Sequence, residues 1–323
     1  MLTRLGLVSI ASLVLASPAF AEEEYVPEPL PKLGPFAAIK EITASSTFVD
    51  KSKRDLYGAW RVLEYELTDP MAGVPRTAWC EGKPDEGIGE GITITFLAPT
   101  KLRQIDIAAG VWLTEKLYKA NNRITSLAIS IDGSAPKKVA PPAEHGEWLE
   151  VPIGKAVTTI KIAIDAVTKG KMNDSCISAV SLMGDGDLAL EAVRGLDAKA
   201  VAALPAAYAA IEKALTDPKH TGLDKLITFP FFYEDSSWFV DGSNRTRQKL
   251  ANAKALETAC KKKTDACPGL PTTRGPDDPA HVKSDGVGAV MIMFPASREV
   301  LDTWHLVWKG GAWKMTAADY LSP

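Results

Sequence analysis

Between residues 92 and 165 the chain repeatedly alternates apolar and polar side chains, and that rhythm excludes a helical fold for this stretch. Ile92-Thr-Ile-Thr-Phe96 alternates strictly, and Leu102 to Ile107, Ile124 to Ile131, Glu147 to Ile153 and Thr159 to Asp165 do so approximately. Successive side chains of a strand point to opposite faces, so a period of two means one buried face and one wet face. Turn residues such as Asp132-Gly133 and Lys169-Gly170 separate the runs. Short strands at this spacing, with almost no helical stretch between them, predict an antiparallel β-sandwich over residues 40–183.

The pattern then changes. Gly184-Asp-Gly-Asp187 replaces strand patterning with small and polar residues, and residues 184–195 read as a linker. Its two carboxylates are too few for a calcium site. From Leu196 to Thr216 apolar residues recur at Val201, Leu204, Tyr208, Ile211 and Leu215, a helical face interrupted by Pro205. Leu226 to Tyr233 reads as a strand, Thr246 to Lys261 as a basic helix, and Cys267 to Asp285 as a loop. Three strand-like runs close the chain: Gly288 to Phe294, Thr303 to Trp308 and Ala312 to Ala317, the last two joined by a Gly310-Gly311 hairpin. Helices followed by an antiparallel meander predict an α+β domain over residues 196–323.

The first residues speak to compartment. Arg4 precedes an apolar run from Leu5 to Ser17, too short to span a bilayer, and Ala19-Phe20-Ala21 suits signal cleavage. Residues 1–21 therefore read as a signal peptide, with no cysteine near the cut to make it a lipid-attachment signal. The expected product is periplasmic or secreted and has no transmembrane segment. Residues 22–39, rich in Glu and Pro, read as a disordered leader. Loss of Arg4 takes the formal net charge of −3 one unit further negative, with both signs scattered along the chain. That balance gives no support to nucleic-acid binding. In an oxidising compartment the four cysteines favour disulfides over metal ligation, and three pairings are open. Cys260 and Cys267 are close enough to close a local loop, which leaves Cys80 with Cys176 as a long-range bridge.

Four ordered motif blocks stand out in the first half: Thr77-Ala-Trp79-Cys80-Glu81-Gly82, Gly87-Ile-Gly89-Glu90, Tyr118-x-x-Asn121-Asn122-Arg123 and Asp174-Ser-Cys176-Ile-Ser178. Together they resemble the discoidin-like NADase-type glycan-binding domain found in bacterial exported proteins. The resemblance implies a jelly-roll sandwich with a glycan-binding or surface-attachment role. Where such domains carry a Gly-Tyr turn, this chain has Gly110-Val111-Trp112. On the residues themselves, Trp79 and Trp112 offer flat faces for a sugar ring, Trp112 being the more ligand-facing because it lies in a polar segment. Glu81, Glu90, Tyr118, Asn121, Asn122 and Arg123 offer directional hydrogen bonds to hydroxyls. A structural reading stands beside this one, in which Trp79 is core, Glu90 pairs with Arg123, and Asn121 caps a turn.

The second half resembles the cone-shaped nuclear-transport-factor-two-like superfamily, on its long helix before Leu226 to Phe231 and its closing pattern Trp304-x-x-Val-Trp308 to Trp313 and Asp319. The resemblance implies a curved antiparallel sheet wrapped around a helix, with a pocket in some members. Tyr233, Asp235, His305 and Asp319 are the candidate pocket residues, His305 as a general base. His145, His220 and His281 are isolated, and the chain has no His-Glu-x-x-His, Gly-x-Ser-x-Gly or phosphate-binding glycine motif. Neither a cofactor nor a metal is expected. The resulting expectation is a non-enzymatic exported protein whose sandwich binds carbohydrate or another cell-envelope ligand, with room for a protein partner. The alternative is an enzyme using acid/base chemistry in the second domain, tethered to its substrate by the sandwich.

Overall fold

The computed structural model describes residues 30–49, 57–64, 75, 77–187, 189–237, 244–262, 279–286, 288–295 and 301–322. The expected signal peptide, most of the leader and Cys267 lie outside the described residues.

The first half is all-β. Its strands are β1 (Phe36–Ala44), β2 (Trp79–Cys80), β3 (Gly91–Ala109), β4 (Arg123–Ile131), β5 (Lys137–Val139), β6 (Leu149–Thr168), β7 (Cys176–Met183) and β8 (Ala189–Arg194). A short helix α1 (Glu115–Ala120) sits between β3 and β4, its first turn capped by the Thr114 hydroxyl, which accepts from Leu117 N. The strand order is β2-β7-β8-β1-β3-β6-β4-β5, with β3 also pairing with β7.

Four of the alternating runs merge into two long strands. The 19-residue β3 pairs through Ile92 to Phe96 with β1, and through Gln104 to Ala109 with β7, its register shifting in between. The 20-residue β6 follows β3 across the same shift. Both strands therefore bend from one layer into the other, and the sheet folds over on itself instead of forming two separately hydrogen-bonded sheets. Ile92, Ile94, Ile105 and Ile107 of β3 and Ile160, Ile162 and Ile164 of β6 fill the space between the layers.

The second unit contains α2 (Ala198–Thr216), α3 (Leu223–Leu226), β9 (Ile227–Ser237), β10 (Asn244–Leu250), α4 (Ala253–Lys261), β11 (His281–Ser284), β12 (Ala289–Pro295), β13 (Leu301–Lys309) and β14 (Ala312–Ser322). The Asp197 carboxylate caps α2 by accepting from Ala200 N, and the helix runs through Pro205 without ending. The expected antiparallel sheet is instead mixed, in the order β10-β9-β14-β13-β12-β11, because β14 returns parallel to β9. The single long helix expected from Thr246 to Lys261 is also corrected: Asn244–Leu250 pairs with β9, and Asn252 caps a shorter helix by accepting from Ala255 N. Hairpin pairing takes the backbone groups of the first half, and the cap defines where the helix starts. Leu204, Tyr208 and Ile211 of α2 pack with Phe231, Phe294, Trp304 and Met315 of the sheet.

Two segments depart from the sequence expectation. Within the expected leader, Tyr208 Oη donates to Pro31 O at 2.7 Å, Leu30 N donates to Glu212 Oε1 at 2.9 Å, and Lys32 and Gly34 exchange backbone bonds with Ala280. Leu30, Leu33 and Phe36 pack on the second core. Within the expected linker, β8 pairs antiparallel with β7 and parallel with β1. Leu190 joins the first core and Val193 the second. The physical reason is shared. Each segment holds a few apolar residues among proline, glycine and charge, too few to show a period, yet each finds buried partners remote in sequence.

Candidate functional site

The motif blocks converge at one end of the sandwich. Cys80 and Cys176 stand directly opposite one another in the β2–β7 pair and form a disulfide across a Cα–Cα distance of 4.1 Å. Cys260 is also disulfide-bonded, and its expected partner Cys267 lies outside the described residues.

Around the Cys80–Cys176 bridge the loops are tied by buried polar groups. Glu81 is 1% exposed; its carboxylate accepts from Lys83 N at 2.6 Å and Ser175 N at 3.4 Å. Burial raises the Glu81 pKa above the usual carboxylate range, against the lowering effect of these two N–H groups. Asn122, 1% exposed, donates to Ser175 Oγ and accepts from Gly170 N, while Ser175 Oγ donates to Glu86 O at 2.7 Å. Asn173 holds the 84–85 backbone by donating to Pro84 O and Asp85 O. Gly87 completes the turn at φ 67°, where a Cβ would lie 2.4 Å from Glu81 Cγ. These groups are spent on one another and shape the loops.

The two expected sugar platforms, Trp79 and Trp112, are buried as well. Trp79 is fully buried, its Nε1 donating to Ser46 O. Trp112 is 1% exposed, its Nε1 donates to Ala109 O, and its ring meets Trp148 edge-on at 5.3 Å. A sugar has no open face of either ring on which to stack. Tyr118 is buried and donates to Ala143 O, and Asn121 closes α1 by donating from Nδ2 to Leu117 O. Glu90 does not pair with Arg123; it accepts from Ser45 Oγ at 2.6 Å, which lowers its pKa. Of the eight expected contacts, Arg123, at the start of β4, is the exposed one.

Beside the disulfide the loops enclose a cavity of about 500 Å³. Phe48, Leu113 and Met172 form apolar walls and are partly open to solvent, 38%, 44% and 46% exposed. Asn121, Asp174 and Ser178 add polar groups. Burial raises the pKa of the half-buried Asp174 carboxyl. The sequence reading did not single out these wall residues. The available signal was a large apolar residue isolated in polar surroundings, such as Met172 between Lys171 and Asn173.

In the second unit the structure brings two of the four expected pocket residues together, His305 and Asp319. Tyr233 belongs to the core under α2, and the side chain of Asp235 lies outside the described residues. His305 leaves β13 on the face opposite Trp304, where Nδ1 lies 2.7 Å from Asp285 Oδ2 and Nε2 lies 2.8 Å from Asp319 Oδ2. Hydrogen bonding to Asp319 chiefly, and to Asp285, lifts the imidazole to a pKa of about 9, so at neutral pH it is a cation with both N–H groups donating. As a cation it would have to give up a proton before it could serve as a base. The inner face of the sheet is filled by Tyr208, Phe294 and Trp304 with ring centroids 4.8–6.2 Å apart. A wider groove of about 760 Å³ lies elsewhere, between the α2–α3 connection and α4, and its Lys254, Glu257 and Lys261 give it charges of both signs.

Residues 37–183 match the family model described as NAD glycohydrolase translocation F5/8 type C domain, so this stretch is a discoidin-like domain. No curated protein matches the chain. Among solved structures, the arabinofuranosyltransferase AftD from Mycobacteria is 17% identical over 47% of this chain and 11% of its own length, TM-score 0.33. The CBM32-1 and CBM32-2 domains of Clostridium perfringens ZmpB, in complex with GalNAc, are 14% identical over 45% of this chain and 32% of theirs, TM-score 0.31. The Streptococcus pyogenes NAD+-glycohydrolase translocation domain is 23% identical over 32% of this chain and 92% of its own, TM-score 0.27. The chain thus spans a small part of the first two and most of the third.

Proposed function

We propose that this is an exported, non-enzymatic binding protein whose sandwich recognises carbohydrate in the cell envelope through the cavity beside Cys80–Cys176. The observation that carries the reading is that cavity: apolar walls open to solvent and hydrogen-bonding groups, built by the same loops as the motif blocks. A pyranose presents C–H faces and hydroxyl edges, and the lining matches both. The match of residues 37–183 to the F5/8 type C model supports the placement of a recognition loop end here. Export follows from the signal-like residues 1–21, and a division near residues 184–195 into a jelly-roll sandwich and a nuclear-transport-factor-two-like cone is part of the proposal. What favours the cone is that α2 packs on the six-stranded sheet.

Two observations favour binding over acid/base catalysis in the second unit. Aromatic side chains fill the inner face of its sheet, and His305 is held as a cation between two carboxylates on the other face.

A glycan array probed with the full mature chain tests the reading. Selective retention of one class of saccharide, lost in Leu113→Asp, is expected; Leu113 is exposed enough for that change to leave the fold intact. Absence of any retained glycan at high protein concentration would overturn it.

A further inference from the structure

Resting on the carbohydrate reading of this cavity, we infer that its ligand is an amino sugar carrying a free ammonium group, and that Asp174 is the residue that selects it. Asp174 lines the cavity beside Met172 and Leu113. Its position is set by the backbone, since its carbonyl accepts from Asn122 N at 3.1 Å. Its carboxylate is a different matter. Among the described residues no N–H or O–H donates to it, and burial raises its pKa.

The surroundings add to the negative potential. Glu81, packed behind the loop, feels both Asp174 and Asp85 as like charges. Arg61 also lines the cavity, from the 3₁₀ turn Ala59–Val62, and is engaged in an interaction of its own. A half-buried carboxylate without a donor is a poorly solvated charge, and a ligand that brings a cation relieves it. A sugar hydroxyl can donate there too, but a charge-assisted bond from an ammonium is about twice as strong as a neutral one. An N-acetylated sugar offers a neutral amide N–H and a bulkier group, and a uronic acid brings a second carboxylate to the first. The apolar walls of Phe48, Leu113 and Met172 suit the C–H face of the same ring.

The test uses the full mature chain and methyl glycosides of glucosamine and galactosamine, their N-acetylated forms and the parent glucose and galactose. Affinities would be measured by ligand-observed NMR near pH 6, with hexylamine as a sugar-free cation. At least one free amine is expected to bind tenfold or more tighter than its N-acetylated and parent counterparts, and the preference should shrink as salt is raised. Asp174→Asn should bring the preference within about threefold while leaving thermal unfolding in place. If the N-acetylated or parent sugars bind as well as the amines, or if Asp174→Asn keeps the preference, the ammonium inference falls and the carbohydrate reading stands. If hexylamine binds as tightly as the amino sugars, a cation site stands and the sugar reading falls. If nothing binds, both fall.

Discussion

Replacing Trp112 with alanine should unfold the sandwich more readily before it affects any ligand. The ring is 1% exposed, its Nε1 donates to Ala109 O at 3.0 Å, and it meets Trp148 edge-on and His145 at a tilt. Its backbone also holds the loop, N donating to Ser178 Oγ and O lying 2.9 Å from His145 Nε2. A buried tryptophan removes about 150–250 Å² from water. At about 25 cal/mol per Å² that is about 4–6 kcal/mol, of which alanine retains a small part. The expected loss is therefore about 3–5 kcal/mol, in the range for emptying an aromatic site in a core. Trp112→Phe keeps most of the ring and loses the hydrogen bond, for about 1–2 kcal/mol. Urea unfolding followed by near-ultraviolet circular dichroism checks this. With a slope of about 2–3 kcal/mol/M, Trp112→Ala should lower the midpoint by about 1–2.5 M at unchanged slope. A shift below about 0.4 M would refute the packing argument. Loss of glycan binding with stability intact would return Trp112 to the role of a contact.

Two further outcomes follow from the structure. The Cys80–Cys176 bridge spans a sequence separation of 96, for which chain entropy gives about 4–5 kcal/mol, so the Cys80→Ala/Cys176→Ala double variant should unfold at clearly lower urea than the wild type. Coincident midpoints would show that the constraint adds nothing. For His305 the folded pKa of about 9 lies above the ordinary 6.5, so its contribution is complete below about pH 6.5 and disappears as pH rises through 9. That contribution is at most about 3 kcal/mol, and Asp319→Asn should flatten the alkaline loss of stability seen in urea titrations between pH 7 and 10; an unchanged pH profile would contradict the assigned clamp.

The strand content of residues 92–165 was legible because alternation is a local property: each side chain's face is decided by its neighbours in the chain. The face of α2 was legible for the same reason, and Leu204, Tyr208 and Ile211 are buried as its spacing requires. The pairing of Cys80 with Cys176 could be reached by arithmetic on four cysteines. Other properties belonged to no single segment. That β3 and β6 bend through both layers depends on partners tens of residues away, and so does the return of β14 alongside β9. The most conspicuous residues of the site turn inward. Trp79, Trp112, Glu81 and Asn122 have the chemistry of sugar contacts, but chemistry does not say which way a side chain faces. Only once the loops met did Ser175 take Asn122 and Glu86, and Ala109 take Trp112, leaving Leu113, Met172 and Asp174 toward the cavity. Type and spacing are carried along the chain. Burial and satisfaction of polar groups are sums over everything that surrounds a side chain, so the tertiary structure decides them.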